Sequence, residues 1–330
     1  MANINDVAKL AGVSPSTVSR VLNASAPISE STRKRVLDAV DQLKYRRRIS
    51  SAAPHSVNQR VAGVIIPDLA SEYYTSLAQA LCARFQQKGY LVQLYATDFD
   101  PDTTVRAVEY MASIHVSCML VIIDGYETVS SRLLRAVQHA MIPAMFITAQ
   151  YDEGIDADCL YVDERRGGAM VAEHLVHRGY RRIGFIGETK SNLRYQYFEA
   201  ALRNYGLRME PRFTRIGEER GELGGYLRMK ELLALPELPD AVYAGYDQIA
   251  FGALHALTES GLQVPKDIAL IGFDNVPSAS YIAGGLSTIG HPFEEMAAIA
   301  VRILIHRISA PYGQTQQIAL KPMLLARATT

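Results

Sequence analysis

The sequence predicts an α/β protein in which a small all-α head precedes a two-lobed core of doubly wound parallel sheets. Two observations support this prediction. The first 45 residues hold three short amphipathic helical patterns, whereas from residue 61 short apolar runs alternate with longer amphipathic segments. Continuous apolar strands separated by helices are typical of parallel sheets that helices cover on both faces. Because about 270 residues exceed one comfortable open sheet, we expect two lobes.

The three helical patterns at the start of the chain form a helix-turn-helix arrangement. Asn3 is placed to cap the first helix, and Gly12 is placed to end it. The second helix is expected to open at Pro15, because proline is tolerated at the first helical position, and the third to span 29–43. A helix, a tight glycine turn and a second helix make up the motif, and we place this domain at residues 1–45.

The rest of the chain is expected to consist of a linker at 46–60 and a core at 61–330. The linker is small, polar and basic with one proline, a composition typical of connecting segments. The predicted strands of the core are 61–66, 91–95, 119–123, 144–148, 183–186, 241–244 and 268–273. The helices predicted between them include 72–87, 168–178, 194–205 and 249–260.

The formal net charge is zero, but the charge is unevenly distributed along the chain. Residues 1–60 carry ten Lys and Arg against four Asp and Glu, and the remainder carries 24 against 30. A basic head on an acidic body indicates a polyanionic partner for the head alone.

Cysteine usage, hydropathy and motifs exclude several other classes of protein. Cys82, Cys118 and Cys159 share no CxxC spacing, so neither a disulfide framework nor a zinc site is indicated. No apolar run reaches the roughly 18 residues of a membrane span, and the first residues lack the features of a secretory signal. We therefore expect a cytoplasmic protein. In the absence of a catalytic motif or a metal-ligand spacing, we predict no enzymatic activity, cofactor or metal.

The second helix carries the strongest functional signal. Its outer face presents Ser16, Thr17, Ser19, Arg20 and Asn23, which are short donors or acceptors apart from one long guanidinium. That set suits the reading of base edges in the major groove of DNA. The alternative is a merely solvated helix face, and the basic charge of the head weighs against it.

Several distinctive segments follow one another along the chain. They read INDVAKLAGVSPSTVSRVLN at 4–23, ISESTRKRV at 28–36, GVIIPD at 63–68, HLVHRGYRRIGFIG at 174–187, AFGALHALTESGLQVPKDI at 250–268, GFD at 272–274 and LSTI at 286–289. In this order they resemble the LacI/GalR family of bacterial transcription regulators, and the likeness extends over nearly the whole chain.

The resemblance implies a helix-turn-helix head, a hinge that becomes a short helix on the operator, and a core like a periplasmic sugar-binding protein. Lobe 1 is expected at 61–160 and 291–321, and lobe 2 at 162–289. The implied partners are double-stranded operator DNA, a small sugar, glycoside or sugar acid, and a second copy in a homodimer, with a tetramer as the open alternative. We expect a repressor of carbohydrate-utilisation genes. The rival interpretation is a sugar-binding or sugar-handling protein that uses the same core without operator regulation.

The resemblance also implies DNA-binding roles for six residues of the second helix. Those at operator-reading positions are Pro15, Ser16 and Arg20, and those at phosphate-contacting positions are Thr17, Ser19 and Asn23. Arg20 is suited to a bidentate contact with guanine, whereas serine and proline carry no comparable code.

The hinge departs from the family pattern. Three arginines, Arg46, Arg47 and Arg48, come first, and Pro54 stands where the family usually has a leucine that wedges into the minor groove. Proline can itself act as a wedge, but it cannot lie within a helix without loss of a backbone hydrogen bond. Either Pro54 intercalates, or no hinge helix forms and the arginines contact phosphates. We favour the second outcome.

Five residues that match family effector contacts also lie where α/β sheets bind ligands. Tyr73 and Tyr74 follow the first predicted strand, and later strands are followed by Arg194, Asp247 and Asp274. Such folds bind ligands beyond the carboxyl ends of parallel strands. Planar charged groups with aromatic rings suit a polyhydroxylated ligand. Two alternatives stay open, Asp247 as a helix N-cap and Tyr74 as core packing.

Four further positions complete the expected pocket. Thr148 replaces an aspartate that is frequent in the family, and Tyr246 replaces an asparagine. His291 and Phe293 lie in the crossover, where the family often has a polar residue and an aromatic ring. These replacements leave neutral sugars, glycosides and sugar acids all open as effectors.

Overall fold

The structure, a computed structural model, describes residues 4–23, 28–43, 60–123, 129–150, 154–311 and 313–330. These residues belong to two compact units that divide between Asn58 and Gln59. The predicted cap at Asn3 and the linker residues Arg46, Arg47, Arg48 and Pro54 lie outside the described residues.

The first unit contains three helices, α1 (Ile4–Ala11), α2 (Pro15–Asn23) and α3 (Glu30–Gln42). Gly12 turns the chain from α1 into α2 with a φ of +64°, a left-handed conformation that glycine adopts without strain. The helices pack around a small apolar core in which Val7, Val18 and Val36 are completely buried. This packing determines which side chains of α2 remain accessible.

The second unit contains two sheets, each of six strands. The strands of lobe 1 are β1 (Arg60–Ile66), β2 (Tyr90–Ala96), β3 (Cys118–Ile122), β4 (Ala144–Thr148), β5 (Asp158–Val162) and β11 (Gln317–Leu320). The strands of lobe 2 are β6 (Ile183–Glu188), β7 (Thr214–Gly217), β8 (Ala241–Ala244), β9 (Ala269–Asp274), β10 (Ser287–Gly290) and β12 (Met323–Leu325). The spatial orders are β11-β5-β4-β3-β1-β2 and β12-β10-β9-β8-β6-β7. β12 runs antiparallel to β10, and the other pairs are parallel.

Helices cover both faces of each sheet. Those of lobe 1 are α4 (Glu72–Gln87), α5 (Pro101–Ser113), α6 (Ser131–Ala140) and α11 (Phe293–Ser309), and those of lobe 2 are α7 (Glu164–His177), α8 (Asn192–Arg203), α9 (Gly221–Leu233) and α10 (Asp247–Glu259). In β1, Val64 packs in the cluster that includes α4 and α11, while Ile65 packs in the cluster that includes α5 and α6. Burial on both faces explains the continuous apolar runs in the sequence. None of the described helices is long and apolar enough to cross a membrane.

The described part of the core includes three passages of the chain between the lobes. They follow β5, β10 and β11. The first leads from Val162 into α7, and the second leads from Gly290 into α11. Each lobe is therefore assembled from separate stretches of sequence, and the cleft between them is bordered by the carboxyl ends of parallel strands.

Candidate functional site

A cleft opens between the two lobes where their central strands end. Its empty volume, including the open mouth, is about 740 Å³. Seven of the nine side chains that were predicted to contact an effector line it: Tyr73, Tyr74, Thr148, Arg194, Tyr246, Asp274 and His291. Asp247 and Phe293 do not line it. Arg220, which stands in a loop where the family resemblance implies an aromatic residue, also lines it. Four polar residues that were not predicted line it too, namely Ser71, Glu164, Glu188 and Ser191.

Arg194 lies in the first turn of α8 with its guanidinium at the cleft. Its Nε and Nη2 atoms donate to Oε1 of Glu164 at 3.0 and 2.6 Å, and its Nη1 donates to the carbonyl of Gly245 at 2.8 Å. The guanidinium stacks on the ring of Phe273 at 4.1 Å and lies 3.3 Å from Oδ1 of Asp274. These contacts fix the plane of the guanidinium and pair its charge before any ligand enters.

Glu164 is the charge partner of Arg194 and was not predicted from the sequence. It is the first residue of α7, is buried, and follows the N-cap Asp163, whose side chain accepts from the amide of Arg166. The predicted helix began at residue 168, because residues 164–166 are all charged and show no apolar periodicity. An Asp at the cap with a carboxylate in the next position is a helix-start signal that would have extended the helix to Glu164.

Asp274 ends β9 in a conformation that brings its carboxylate to the cleft. Asp274 and Asn275 adopt φ angles of 109° and 55°, a region that favours glycine. Nη2 of Arg327 donates to Oδ1 of Asn275 at 2.7 Å, and the amide of Asn275 donates to Oγ1 of Thr288 at 3.3 Å. Strained backbone persists only where surrounding contacts hold it, and here those contacts come from β10 and the segment after β12.

Asp247, which was predicted to contact an effector, does not line the cleft and is bonded behind it. Its Oδ1 accepts from the hydroxyl of Thr288 at 2.6 Å and its Oδ2 accepts from the amide of Val276 at 2.9 Å, and the residue has no exposed surface. Two causes raise the pKa of Asp247 well above its ordinary value. Burial is the larger cause, and the negative charge of the nearby Asp274 is the second. The alternative interpretation, in which Asp247 is the N-cap of α10, is wrong because Tyr246 occupies the N-cap position. Asp247 instead joins α10 to the segments at the ends of β9 and β10.

The tyrosines of the cleft pack in the core and also line the cleft. Tyr74 is 4% exposed and belongs to the core of lobe 1, yet it also lines the cleft. The hydroxyl of Tyr246 accepts from the amide of Gly221 at 2.9 Å, and burial raises the pKa of this phenol. Core packing and ligand contact are therefore not exclusive interpretations of these side chains.

His291 presents a buried imidazole to the cleft. It is 7% exposed, and within the described residues neither Nδ1 nor Nε2 makes a hydrogen bond. Its ring packs 4.9 Å from Tyr73, 5.5 Å from Phe273 and 6.0 Å from Phe293, the last in a stacked arrangement. Phe293, which was predicted to contact an effector, supports His291 and does not itself line the cleft.

Side chains from the two lobes meet across the cleft, and two of the described contacts join polar groups to the opposite lobe. The guanidinium of Arg220 in lobe 2 stacks on Phe99 of lobe 1 at 3.7 Å, and its Nε lies 3.5 Å from Oε2 of Glu188. Glu72 of lobe 1 accepts from the amide of Ser278 in lobe 2 at 3.1 Å and also from its hydroxyl. The structure therefore shows the lobes in contact across the cleft.

The predicted DNA-reading residues lie on α2 of the head. Pro15, Ser16 and Arg20 are exposed, and Thr17 and Ser19 are half-buried. Ser14 begins the helix, because its Oγ accepts from the amide of Thr17 at 3.2 Å. The side chain of Asn23 lies outside what the structure describes.

Comparison with known proteins matches both units. A family model described as bacterial regulatory proteins, lacI family, matches residues 3–48, and one described as a periplasmic binding protein-like domain matches residues 172–330. The ribose operon repressor of Escherichia coli (strain K12) is 30% identical over 333 residues, which cover 100% of both chains. This chain belongs to the LacI family.

Other LacI-family proteins match over the same extent. The HTH-type transcriptional repressor PurR of Mannheimia succiniciproducens is 31% identical and covers 99% of this chain and 98% of its own. The structure of the Lac repressor bound to ONPG in the repressed state is 25% identical with a TM-score of 0.72, and it covers 100% of this chain and 99% of that one. The LacI-family relatives named here are repressors, and the fold of this chain is the LacI-like combination of a helix-turn-helix head and a two-sheet core.

Proposed function

We propose that this LacI-family protein is a sequence-specific DNA-binding repressor of carbohydrate-utilisation genes, controlled by a small sugar-type effector in the cleft. One observation carries the proposal. The same chain has an accessible polar face on α2 and a cleft lined by buried polar groups. The ribose operon repressor, a full-length relative, supports the link to sugar metabolism.

The head at 1–45 reads the operator and the linker at 46–60 adds affinity. In this proposal Pro15, Ser16 and Arg20 read bases, and Thr17, Ser19 and Asn23 contact phosphates. The linker residues Arg46, Arg47 and Arg48 neutralise further phosphates. Most of the affinity is then electrostatic, while Arg20 supplies discrimination between operators.

The cleft binds the effector between the two lobes. In this proposal lobe 1 consists of residues 61–160 and 291–321, and lobe 2 of residues 162–289. Arg194 and Asp274 offer donors and acceptors to vicinal hydroxyls, and the rings of Tyr73, Tyr74 and Tyr246 cover C–H faces. An inducer must bind the DNA-free state more tightly than the operator-bound state. A hundredfold preference corresponds to about 2.7 kcal/mol per site.

The protein acts as a homodimer in this proposal. Both lobes expose large apolar side chains, among them Leu69, Tyr110 and Ile114 of lobe 1 and Leu223 and Tyr281 of lobe 2, with exposures from 43% to 85%. In this proposal a second copy covers part of this apolar surface, and a two-fold dimer presents two heads to a palindromic operator.

The test is selection of operators from a random duplex library by full-length protein, followed by gel shifts with sugars added. The proposal expects a palindromic consensus, salt-dependent affinity and release by a sugar-type compound. The rival, a sugar-binding protein without operator regulation, would bind the sugar but select no consensus. Enrichment of no sequence over the starting library would contradict the proposal.

A further inference from the structure

The charges that line the cleft are paired internally, with one carboxylate in excess. Arg194 is matched by Glu164, whose Oε1 lies 2.6 Å from Nη2, and Arg220 is matched by Glu188 at 3.5 Å. Asp274 shares Arg194 with Glu164, at 3.3 Å, and has no guanidinium of its own. Both arginines thus meet a ligand with their charge already compensated, and the charge that is left over is negative.

The groups in the cleft that lack hydrogen bonds can satisfy a donor. Asp274 Oδ1 and both ring nitrogens of His291 are buried and make no hydrogen bond within the described residues, and the two residues are 6% and 7% exposed. Nε2 of His291 lies 3.3 Å from Oδ1 of Asp274 without hydrogen-bond geometry, so the two groups face the same point of the cleft. A carboxylate only accepts, and a neutral imidazole accepts through one of its nitrogens and donates through the other. Buried polar groups of native proteins have partners, so these atoms point to a ligand that brings N–H or O–H groups.

An acidic ligand would be mismatched at this place. A carboxylate or phosphate brings further acceptors to Asp274 Oδ1, and like charges repel strongly where water is excluded. A protonated amine brings three donors and the opposite charge, and the rings of Tyr73 and His291 lie alongside at a mutual distance of 4.9 Å. Hydroxyls of the same ligand remain suited to the paired groups around Arg194.

We infer that the effector of this cleft is a polyhydroxylated molecule that carries a protonated amine and no acid group, an amino sugar or amino polyol in chemical class, with the amine at Asp274 and His291. The inference rests on the proposed function and narrows it. Of the effector classes that the sequence leaves open, it removes the sugar acids.

The test compares probes that share a skeleton and differ in charge. Full-length protein is titrated calorimetrically with glucosamine, glucose and glucuronate, with the galactose counterparts, and with ribose and ribose 5-phosphate. The expected order is amine, then neutral sugar, then acid or phosphate ester. A charge-assisted hydrogen bond predicts an advantage of about tenfold for the amine over the neutral sugar.

The Asp274→Asn variant distinguishes loss of the contact with the amine from a general loss of stability. The variant should bind the amine and the neutral sugar about equally while its melting temperature stays within a few degrees of the wild type. Glu218→Gln is the matched control, since Glu218 is exposed before α9 and does not line the cleft, and it should keep the preference for the amine.

Two results would overturn the inference. One is tighter binding of an acid or phosphate ester than of its amine and neutral counterparts, and the other is the absence of amine preference in every series. Operator binding is measured in parallel. An acidic compound that releases the operator would overturn the amine assignment and leave the regulatory function standing, whereas absence of any selected operator would remove the regulatory function itself.

Discussion

Glu164 and Arg194 stand 30 residues apart on different helices, and Nη2 of the arginine lies 2.6 Å from Oε1 of the glutamate. The side chains of the pair are 3% and 13% exposed, so solvent screens the bond little. The guanidinium is therefore held in one orientation, and its charge is compensated within the protein.

The first prediction concerns this pair. Glu164→Gln removes the charge that holds the guanidinium, and effector affinity should fall about 10- to 100-fold, as expected for loss of a charged hydrogen bond. Operator affinity without effector should not change. Titration calorimetry and gel shifts measure the two quantities. Glu199→Gln is the control, because Glu199 pairs with the exposed Arg203 on the same helix and should have little effect.

Arg194→Ala should produce a protein that binds its operator and no longer responds to effector. The arginine lines the cleft, so loss of the response should leave repression in place. A reporter assay with and without effector measures this, with Arg203→Ala as the matched exposed control. Normal induction of the Arg194 variant would show that the cleft has been assigned wrongly.

Arg20→Ala should lower discrimination between the selected operator and a mutated one by about 1–3 kcal/mol per half-site, if the guanidinium pairs with guanine. The core should remain folded, since Arg20 is exposed on α2. Arg33→Ala on the exposed side of α3 is the control. It should leave the preference for the selected operator intact, and any loss of DNA affinity should be equal for all sequences. An unchanged ratio of affinities in the Arg20 variant would end its base-reading role.

The stability of the core should depend on pH through Asp247. Its pKa is raised above the ordinary value of 3.8, so the folded protein keeps a proton that the unfolded chain releases above that pH. Stability should therefore decline as pH rises from about 4 towards the raised pKa of the folded state. Asp247→Asn should remove this part of the decline, because an amide can donate to Thr288 and accept from the amide of Val276. Urea unfolding of both proteins at several pH values measures the difference, and identical slopes would contradict the assignment.

The linker gives a prediction that rests on sequence alone. If Arg46, Arg47 and Arg48 contact phosphates and Pro54 does not intercalate, the operator should show no strong central kink. Circularly permuted operator fragments report the bend. A kink of tens of degrees that disappears in Pro54→Gly would show that the proline is a wedge.

Periodicity was enough to place the central strands, because these strands carry buried apolar side chains on both faces of the sheet. Ile65 in β1 and Ile271 in β9 are examples of such side chains. It missed β5, β7, β10, β11 and β12, and two of these strands, β7 and β10, show different reasons. β7 is a short, half-exposed edge strand, and β10 begins with Ser287 and Thr288, which are buried polar residues bonded to distant parts of the chain. No local pattern reveals those partners.

The cleft shows the same limit. The sequence predicts which side chains lie at the ends of strands, but it does not predict whether a carboxylate there points into the cleft or into the core. Asp274 lines the cleft because β10 and Arg327 hold a strained turn, and Asp247 turns away because Thr288 and Val276 supply its bonds. Both outcomes depend on segments that are remote in sequence.

The three passages between the lobes determine when the core is able to form during synthesis. The face of the first sheet that packs on α4 also needs α11, and its edge strand β11 follows α11 in sequence. A nascent chain that has emerged only as far as residue 290 therefore holds one lobe with an uncovered apolar face. Complete folding of lobe 1 needs α11, which begins 145 positions after the end of β4 and 171 after the end of β3. Such non-local pairing is slow. Chaperone binding to ribosome-attached chains should therefore decline only after α11 has emerged.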